Sequence, residues 1–296
     1  MAIWVLLFKP PPLLKTFFVP YFVAEVPMAT ARNGDIEMFY LDEGAGEPVL
    51  LIHGHTLDHR IWDDVTPVLV EHGLRVIRPD LRGHGRSTMP SKGYHLSHHA
   101  GDMLAVLDAA GVERATVVGF SVGGGIAMEL AVTHPERVEA LALVAPVMPD
   151  RPFEAAFLDN LKAVAKVART EGIRAAMAGP WASSPLFRVS LAKPGIREKI
   201  EPILLDFPGA EYLATERDRV ERDWTIPERL QDVQAPTVVL VGGEEMAGFK
   251  GYAAEAGERI PGAAWHEVPG CGHLLPVEAP GDVVSAVLEV TPEAAG

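Results

Sequence analysis

The sequence predicts an α/β fold: a mostly parallel, doubly wound sheet of about eight strands with a helical lid inserted after the sixth strand. Short runs of β-branched residues alternate with helical patterns from residue 36 to about residue 145, which indicates parallel strands joined by helices. The alternation stops between residues 150 and 232 and resumes at residue 237. We therefore expect residues 28–149 and 233–296 to form the core. Residues 150–232 should cover the carboxyl edge of its sheet, where ligands of such sheets bind.

Each predicted element has its own local signal. Residues 49–53 form a nearly continuous apolar run, as in a strand that is covered on both faces. The run Glu43-Gly44-Ala45-Gly46 breaks the preceding strand and is a hairpin signal. The remaining strands are predicted at residues 36–41, 75–79, 115–120, 140–145, 237–241 and 264–268. The main helices are predicted at residues 61–71, 97–110, 122–133, 157–169 and 278–290.

The composition is that of an ordinary globular chain, with 48% hydrophobic and 22% charged residues among its 296. Its net charge is −14, and this acidic balance excludes binding to nucleic acid through a basic face and disfavours an anionic membrane surface. A single cysteine, Cys271, excludes an internal disulfide and a multi-cysteine metal site. We expect a cytoplasmic protein without an integral membrane span. Whether it forms a homo-oligomer stays open.

Residues 1–27 form an apolar leader with five prolines, unlike the rest of the chain. Its longest unbroken apolar run covers residues 3–8, far short of the roughly 20 residues of a membrane-spanning helix. The lysines follow this run, whereas a secretory signal begins with its basic residues. The leader is then either a peripheral apolar arm or an upstream extension with Met28 as the natural start. We prefer the second interpretation, because a conventional domain begins at residue 28.

The run Gly119-Phe120-Ser121-Val122-Gly123 reads G-x-S-x-G, between a predicted strand and a predicted helix. This is the context of a nucleophile elbow, a sharp turn that projects the serine hydroxyl from the sheet edge. Side chains at positions 119 and 123 would obstruct the close passage of strand and helix. The alternative is a glycine-rich turn with a capping serine. We predict Ser121 to be a nucleophile.

A serine nucleophile needs a base, and the best placed histidine is His273. It follows the last predicted strand, so its loop returns to the same sheet edge as Ser121. The cluster of His95, His98 and His99 looks like a metal site, but no second cluster supplies further ligands, and we expect no bound metal.

A tetrahedral oxyanion needs donors at the same edge. The run His53-Gly54-His55-Thr56 follows the second predicted strand, and its glycine allows the backbone to turn. We predict that the backbone N–H of His55 is one donor and that of Val122 the other.

The elbow, the His-Gly loop and the terminal histidine together resemble the α/β-hydrolase fold superfamily, across roughly residues 34–290. Residues 80–87 resemble the D-x-R-G-x-G-x-S turn of that family, and residues 270–273 with 278–280 resemble its histidine loop. The subfamily resemblance is to small serine esterases, enol-lactonases and cofactor-free perhydrolases. It implies that no cofactor is needed.

The resemblance also implies an acid in the turn after the seventh strand, where the family often has G-x-x-D. Counting from Gly243 puts Met246 at the acid position, and counting from Gly242 puts Glu245 there. We prefer Glu245, because a carboxylate must orient the histidine and stabilise its charged form. Glu244 is the second candidate, and Asp150 is the third.

These residues predict a serine hydrolase that cleaves carboxylic esters or lactones of small, fairly apolar substrates. Aromatic residues in or near the lid could line the acyl pocket or simply hold the lid to the core. The candidates are Phe120, Trp181, Phe187 and Trp224. Two alternatives use the same triad for carbon–carbon bond hydrolysis or for perhydrolysis. A third is a hydrolase-like receptor that binds a small molecule.

Overall fold

The computed structural model describes residues 28–214 and 222–292, so the predictions on residues 1–27 lie outside its range. At its centre is an eight-stranded sheet in the order β1-β2-β4-β3-β5-β6-β7-β8. The strands are β1 (Met28–Asn33), β2 (Ile36–Gly44), β3 (Pro48–Ile52), β4 (Arg75–Pro79), β5 (Ala115–Phe120), β6 (Val138–Val144), β7 (Thr237–Gly242) and β8 (Ala264–Val268). Strands β3 to β8 run parallel, and β2 is antiparallel to β1 and β4. The predicted mostly parallel sheet is confirmed.

Helices cover the sheet on both faces. Strand β5 is buried at all six positions, which requires packing on either side. The helices are α1 (Thr66–Glu71), α2 (Leu96–Ala109), α3 (Val122–Thr133), α4 (Ala155–Thr170), α5 (Ile173–Ala176), α6 (Ile196–Asp206), α7 (Ala210–Leu213), α8 (Ile226–Arg229), α9 (Ala247–Arg259), α10 (Leu275–Glu278) and α11 (Pro280–Val290). Both α3 and α11 pack on β5 and β6. Among the helices of the described ranges, none is long and apolar enough to cross a bilayer.

The chain between β6 and β7 is a helical insert, and no strand occurs in its described residues. Helix α4 is amphipathic: Phe157, Val164 and Ala168 on one side are buried, and most of the other side is exposed. Its buried side chains belong to the same hydrophobic cluster as the strands of the sheet. The insert therefore shares one continuous core with the sheet.

The structure differs from the local predictions in four places. Strand β1 was missed; it joins β2 through the two-residue turn Gly34-Asp35, in which Gly34 has φ 60°, and a Gly-Asp pair between two strands is itself a hairpin signal. The hairpin expected at residues 43–46 does not form, because β4 and β5 occupy both edges of β3. The helices predicted at residues 61–71 and 278–290 are each interrupted. Pro67 and Pro280 sit in the first turns of α1 and α11, where a proline starts a new helix.

The carboxyl ends of the parallel strands meet at one edge of the sheet, and backbone segments pass there at close range. A Cβ atom at Gly119 would lie 2.2 Å from the carbonyl oxygen of Gly123. A Cβ atom at Gly123 would lie 2.2 Å from the carbonyl oxygen of Ile52, at the end of β3. Because real Cβ atoms do not approach backbone oxygens so closely, glycine at both positions is a packing requirement.

We expect Gly123→Ala to lower the free energy of unfolding by about 2 kcal/mol or more, because the added methyl group overpacks rigid backbone. The matched control is Gly251→Ala in α9, where the added methyl group meets open space and should stabilise the helix slightly. Thermal unfolding followed by circular dichroism measures both. Equal melting temperatures for the two variants would contradict the packing argument.

Candidate active site

Ser121 lies at the junction of β5 and α3 in a strained backbone conformation. Its φ of 55° and ψ of −117° are unusual for a residue other than glycine, and the helix begins at the next residue. The carbonyl of Ser121 accepts hydrogen bonds from the N–H groups of Gly124, Gly125 and Val147, which fixes the turn. The predicted elbow context is therefore present: a strand, a sharp turn at the serine, and a helix.

Ser121, His273 and Glu245 are brought together in the order that nucleophilic catalysis requires. The Ser121 Oγ atom is 3.0 Å from His273 Nε2, and His273 Nδ1 is 2.6 Å from Glu245 Oε2. Because an ionised carboxylate can only accept, Nδ1 carries the proton and Nε2 is free to accept from the serine hydroxyl. The side chains of His273 and Glu245 are buried. This arrangement can take a proton from the serine and stabilise the resulting imidazolium.

Of the three candidate acids, the structure brings Glu245 to His273. The second Glu245 oxygen accepts the N–H of Met246, which holds the carboxylate in place. Glu244, one residue earlier, is exposed. Asp150 accepts hydrogen bonds from Arg222 and from the N–H of Ile226, so it anchors the insert.

The loop after β3 lies directly against the elbow. A Cβ atom at Gly54 would lie 3.1 Å from the Cβ of Ser121, so the two segments are in contact. Among the described residues, the backbone N–H groups of His55 and Val122 have no acceptor. Both residues line the same cavity as Ser121. Two free donors beside a serine hydroxyl are the arrangement needed to stabilise an oxyanion.

A cavity of about 1130 Å³ opens above Ser121 and is lined mostly by apolar side chains. Three of the four predicted substrate-binding residues line it, namely Phe120, Trp181 and Phe187. Trp224 does not line it. Its ring lies against the guanidinium groups of Arg222 and Arg229, both in the insert, and packs against the hydrophobic core.

The insert is hydrogen-bonded to the loop after β3, a feature that the sequence did not suggest. The indole Nε1 of Trp181 donates to Thr56 Oγ1 at 2.6 Å, and the Thr56 hydroxyl donates to the carbonyl of His55 at 2.6 Å. On the other side, the hydroxyl of Tyr212 lies 3.0 Å from Nε2 of His55. The insert therefore fixes the loop that carries one candidate oxyanion donor.

A buried carboxylate, Glu278, organises the histidine loop from behind. Its oxygens accept the N–H groups of Gly272 at 3.0 Å and of Leu274 at 2.9 Å, the two neighbours of His273. From the insert, the Ser190 hydroxyl donates to it at 2.5 Å and Lys193 Nζ lies at 2.8 Å. Glu278 therefore positions His273 and ties the insert to it. The sequence motif contained this residue, but only the fold reveals its partners.

Three histidines are buried at or near the cavity, two of them in its lining, and burial lowers the pKa of each. Burial is the largest cause for His53, His84 and His99, and the charge of Arg82 adds to it at His99, whose pKa falls to about 3. The imidazole Nε2 atoms of His53 and His84 accept the N–H groups of Leu81 and Thr56. The neutral rings of His53 and His84 therefore serve as structural acceptors.

One group of side chains in the described residues has metal-like spacing: Asp58, His59 and Asp80. Asp80 accepts the N–H and the Nδ1 of His59 through one oxygen and the N–H of Arg86 through the other. Burial alone would raise the pKa of Asp80, but the hydrogen bonds and charge of His59 outweigh it and lower the pKa. The carboxylate is thus engaged in joining two loops. His95, His98 and His99 do not form such a group.

The chain belongs to the alpha/beta hydrolase fold family, whose model matches residues 47–280. Sequence similarity extends along nearly the whole chain in one relative, a putative carbamate hydrolase of Azorhizobium caulinodans. That protein is 30% identical over 264 residues, which is 88% of this chain and 97% of the relative.

One further relative matches part of the sequence, and one solved structure matches the fold. A putative non-heme chloroperoxidase of Synechocystis is 37% identical over 125 residues, which is 42% of this chain and only 45% of that protein. Among solved structures, a thermophilic esterase from Thermogutta terrifontis superposes with a TM-score of 0.72 at 28% identity, over 90% of this chain and 97% of the esterase.

We expect Glu278→Gln to lower the free energy of unfolding by about 3 kcal/mol, because an amide cannot accept from all four donors and the buried carboxylate loses its ion pair with the half-buried Lys193. Urea unfolding at pH 7.5 measures the effect. The control is Glu289→Gln, which removes an exposed carboxylate bound to His266 and should change stability by less than about 0.5 kcal/mol. Similar losses in both variants would contradict the role of Glu278.

We expect the protein to lose stability as the pH falls below about 6.5, the ordinary histidine pKa. His99 has a lowered pKa in the folded state, so between pH 6.5 and 3 the unfolded chain binds one more proton and unfolding is favoured. His99→Gln should therefore reduce the loss of unfolding free energy between pH 7.5 and 5.0 by about 2 kcal/mol. Urea titrations at both pH values, with the exposed His72→Gln as control, measure this difference. An unchanged loss in His99→Gln would refute the assignment.

Proposed function

We propose that this protein is a serine hydrolase that cleaves carboxylic esters, lactones included, of small and fairly apolar substrates. The observation that carries the proposal is the chain of contacts from Ser121 through His273 to Glu245, at the floor of an apolar cavity. The similarity to the Thermogutta terrifontis esterase supports the same class of reaction.

In this mechanism, Ser121 attacks the ester carbonyl while His273 Nε2 takes its proton. The tetrahedral oxyanion is stabilised by the N–H groups of His55 and Val122. His273 then gives the proton to the leaving alcohol, and the acyl group stays on the serine oxygen. In the second half, His273 takes a proton from water as the water oxygen attacks the acyl carbon, and it returns that proton to the Ser121 oxygen as the acid leaves. Glu245 keeps the imidazole oriented and stabilises its charged form throughout.

The side chains that line the cavity are suited to an apolar acyl or alcohol group of the substrate. The rings of Trp181 and Phe187 pack edge to face with centroids 5.3 Å apart, and Phe187 lies 6.4 Å from the ring of His273. Phe120 packs beneath His273 at 5.1 Å. These side chains place an apolar wall beside the reacting carbonyl.

A series of p-nitrophenyl esters, from acetate to decanoate, tests the proposal. We expect Ser121→Ala to lower kcat at least about 10³-fold and Glu245→Gln to lower it by about 10³-fold, because each removes a member of the triad. The matched control is the exposed neighbour Glu244→Gln, which should turn over like the wild type. Activity that survives in Ser121→Ala would sink the proposal.

The partial match to a putative non-heme chloroperoxidase favours one second candidate, perhydrolysis on the same serine. Hydrogen peroxide would then replace water as the acceptor of the acyl group, releasing a peracid and free Ser121. Adding peroxide to the same ester assay and measuring peracid distinguishes the two acceptors. Hydrolysis without peracid formation would leave water as the acceptor.

A further inference from the structure

One face of α4 lines the cavity from the first turn of the helix to the last. The lining residues on this helix are Phe157, Leu158, Leu161, Lys162, Ala165, Lys166, Arg169 and Thr170. Their three- and four-residue spacing is that of a single helix face. Along this face, the first three lining side chains are apolar, and the cations follow from the middle of the helix onward as Lys162, Lys166 and Arg169. The cavity wall therefore changes from apolar to positively charged along the helix.

The apolar end of this wall lies beside the candidate triad. The ring of Phe157 is 5.3 Å from that of Phe249, which is 5.0 Å from the ring of His273. With a helical rise of 1.5 Å per residue, Lys166 and Arg169 lie roughly 13 Å and 18 Å along the helix from Phe157. A ligand that reached from Ser121 to these cations would be an extended molecule with an apolar middle.

The two cations at the far end are not neutralised by the described part of the protein. Lys162 donates to Asp159, but Lys166 and Arg169 have no ion-pair partner among the described residues. Glu211 is an acidic residue that also lines the cavity, but its partner is His55: its Oε2 atom lies 3.4 Å from Nδ1 of that histidine. In a chain with net charge −14, two unpaired cations on a cavity wall are a local reversal of the overall charge.

We propose that Lys166 and Arg169 bind an anionic group, a carboxylate or a phosphate, at the end of the substrate remote from the scissile bond. This inference rests on the ester hydrolysis proposed above and narrows the substrate class to amphiphilic esters with one anionic end. The apolar lining side chains of α4, Phe157, Leu158, Leu161 and Ala165, pack along the chain that joins the two ends. Both cations are exposed, so their attraction is screened by salt and is modest in size.

Two esters of equal length test the proposal: p-nitrophenyl decanoate and the mono-p-nitrophenyl ester of decanedioic acid. We expect the ratio of kcat/KM for the carboxylated ester to that for the neutral ester to fall about fivefold in Lys166→Gln/Arg169→Gln at low ionic strength. The matched control is Arg188→Gln/Arg197→Gln, which removes two exposed cations of the insert that do not line the cavity. An unchanged ratio in the first variant, or an equal fall in the control, would overturn the proposal.

A binding measurement separates this proposal from ester hydrolysis itself. Decanedioate, decyl phosphate and 1,10-decanediol are titrated into Ser121→Ala protein by calorimetry, with and without the Lys166→Gln/Arg169→Gln changes. We expect the two anions to lose about fivefold in affinity and the diol to lose none. The better of the two anions identifies carboxylate or phosphate as the preferred group. Equal losses for the diol would overturn the anion site, even if no ester were hydrolysed.

Discussion

The site depends on one constraint, the close passage of three backbone segments around a strained serine. Strand β5, helix α3 and the loop after β3 meet within contact distance of Ser121, and Gly54, Gly119 and Gly123 make this passage sterically feasible. The serine itself has a φ of 55°, a conformation that costs of order 1–3 kcal/mol and persists only where the surroundings impose it. Buried strands on both sides impose it here, so the core of the sheet holds the hydroxyl in place.

Much of the fold and of the candidate site could be predicted because the signals are local and the strands share one direction. The G-x-S-x-G run and the loop around His273 each follow a parallel strand, so both must reach the same sheet edge. The choice of acid could not be made from spacing, because Gly242 and Gly243 leave two registers. The structure shows that a Cβ at Gly242 would lie 2.2 Å from the carbonyl oxygen of Gly272. Gly242 is therefore the glycine that packs on the histidine loop, and the register counted from it leads to Glu245.

The predictions that differ from the structure concern long-range pairing. The turn at residues 43–46 looks like a hairpin in isolation, but β2 pairs with β4, which lies about 30 residues further along the chain. Trp224 looked like a cavity residue because it is aromatic and lies in the insert. Its position is set instead by Arg222, which is bound to the buried Glu129 on α3. Neither the pairing of β2 with β4 nor the packing of Trp224 on Arg222 can be predicted from the local sequence.

The insert does more than cover the candidate site, because its residues hydrogen-bond to the loops that form the site. Trp181 fixes the loop after β3 through its hydrogen bond to Thr56. Ser190 and Lys193 bind the buried carboxylate of Glu278, which also binds the histidine loop. Moving the insert away from Ser121 would leave these polar groups without their partners, at about 1–3 kcal/mol for each buried one. At the other end of the cavity, Lys166 and Arg169 are exposed and make no ion pair within the described residues. The insert is thus fixed beside Ser121 and exposed to solvent where we place the charged end of the proposed substrate.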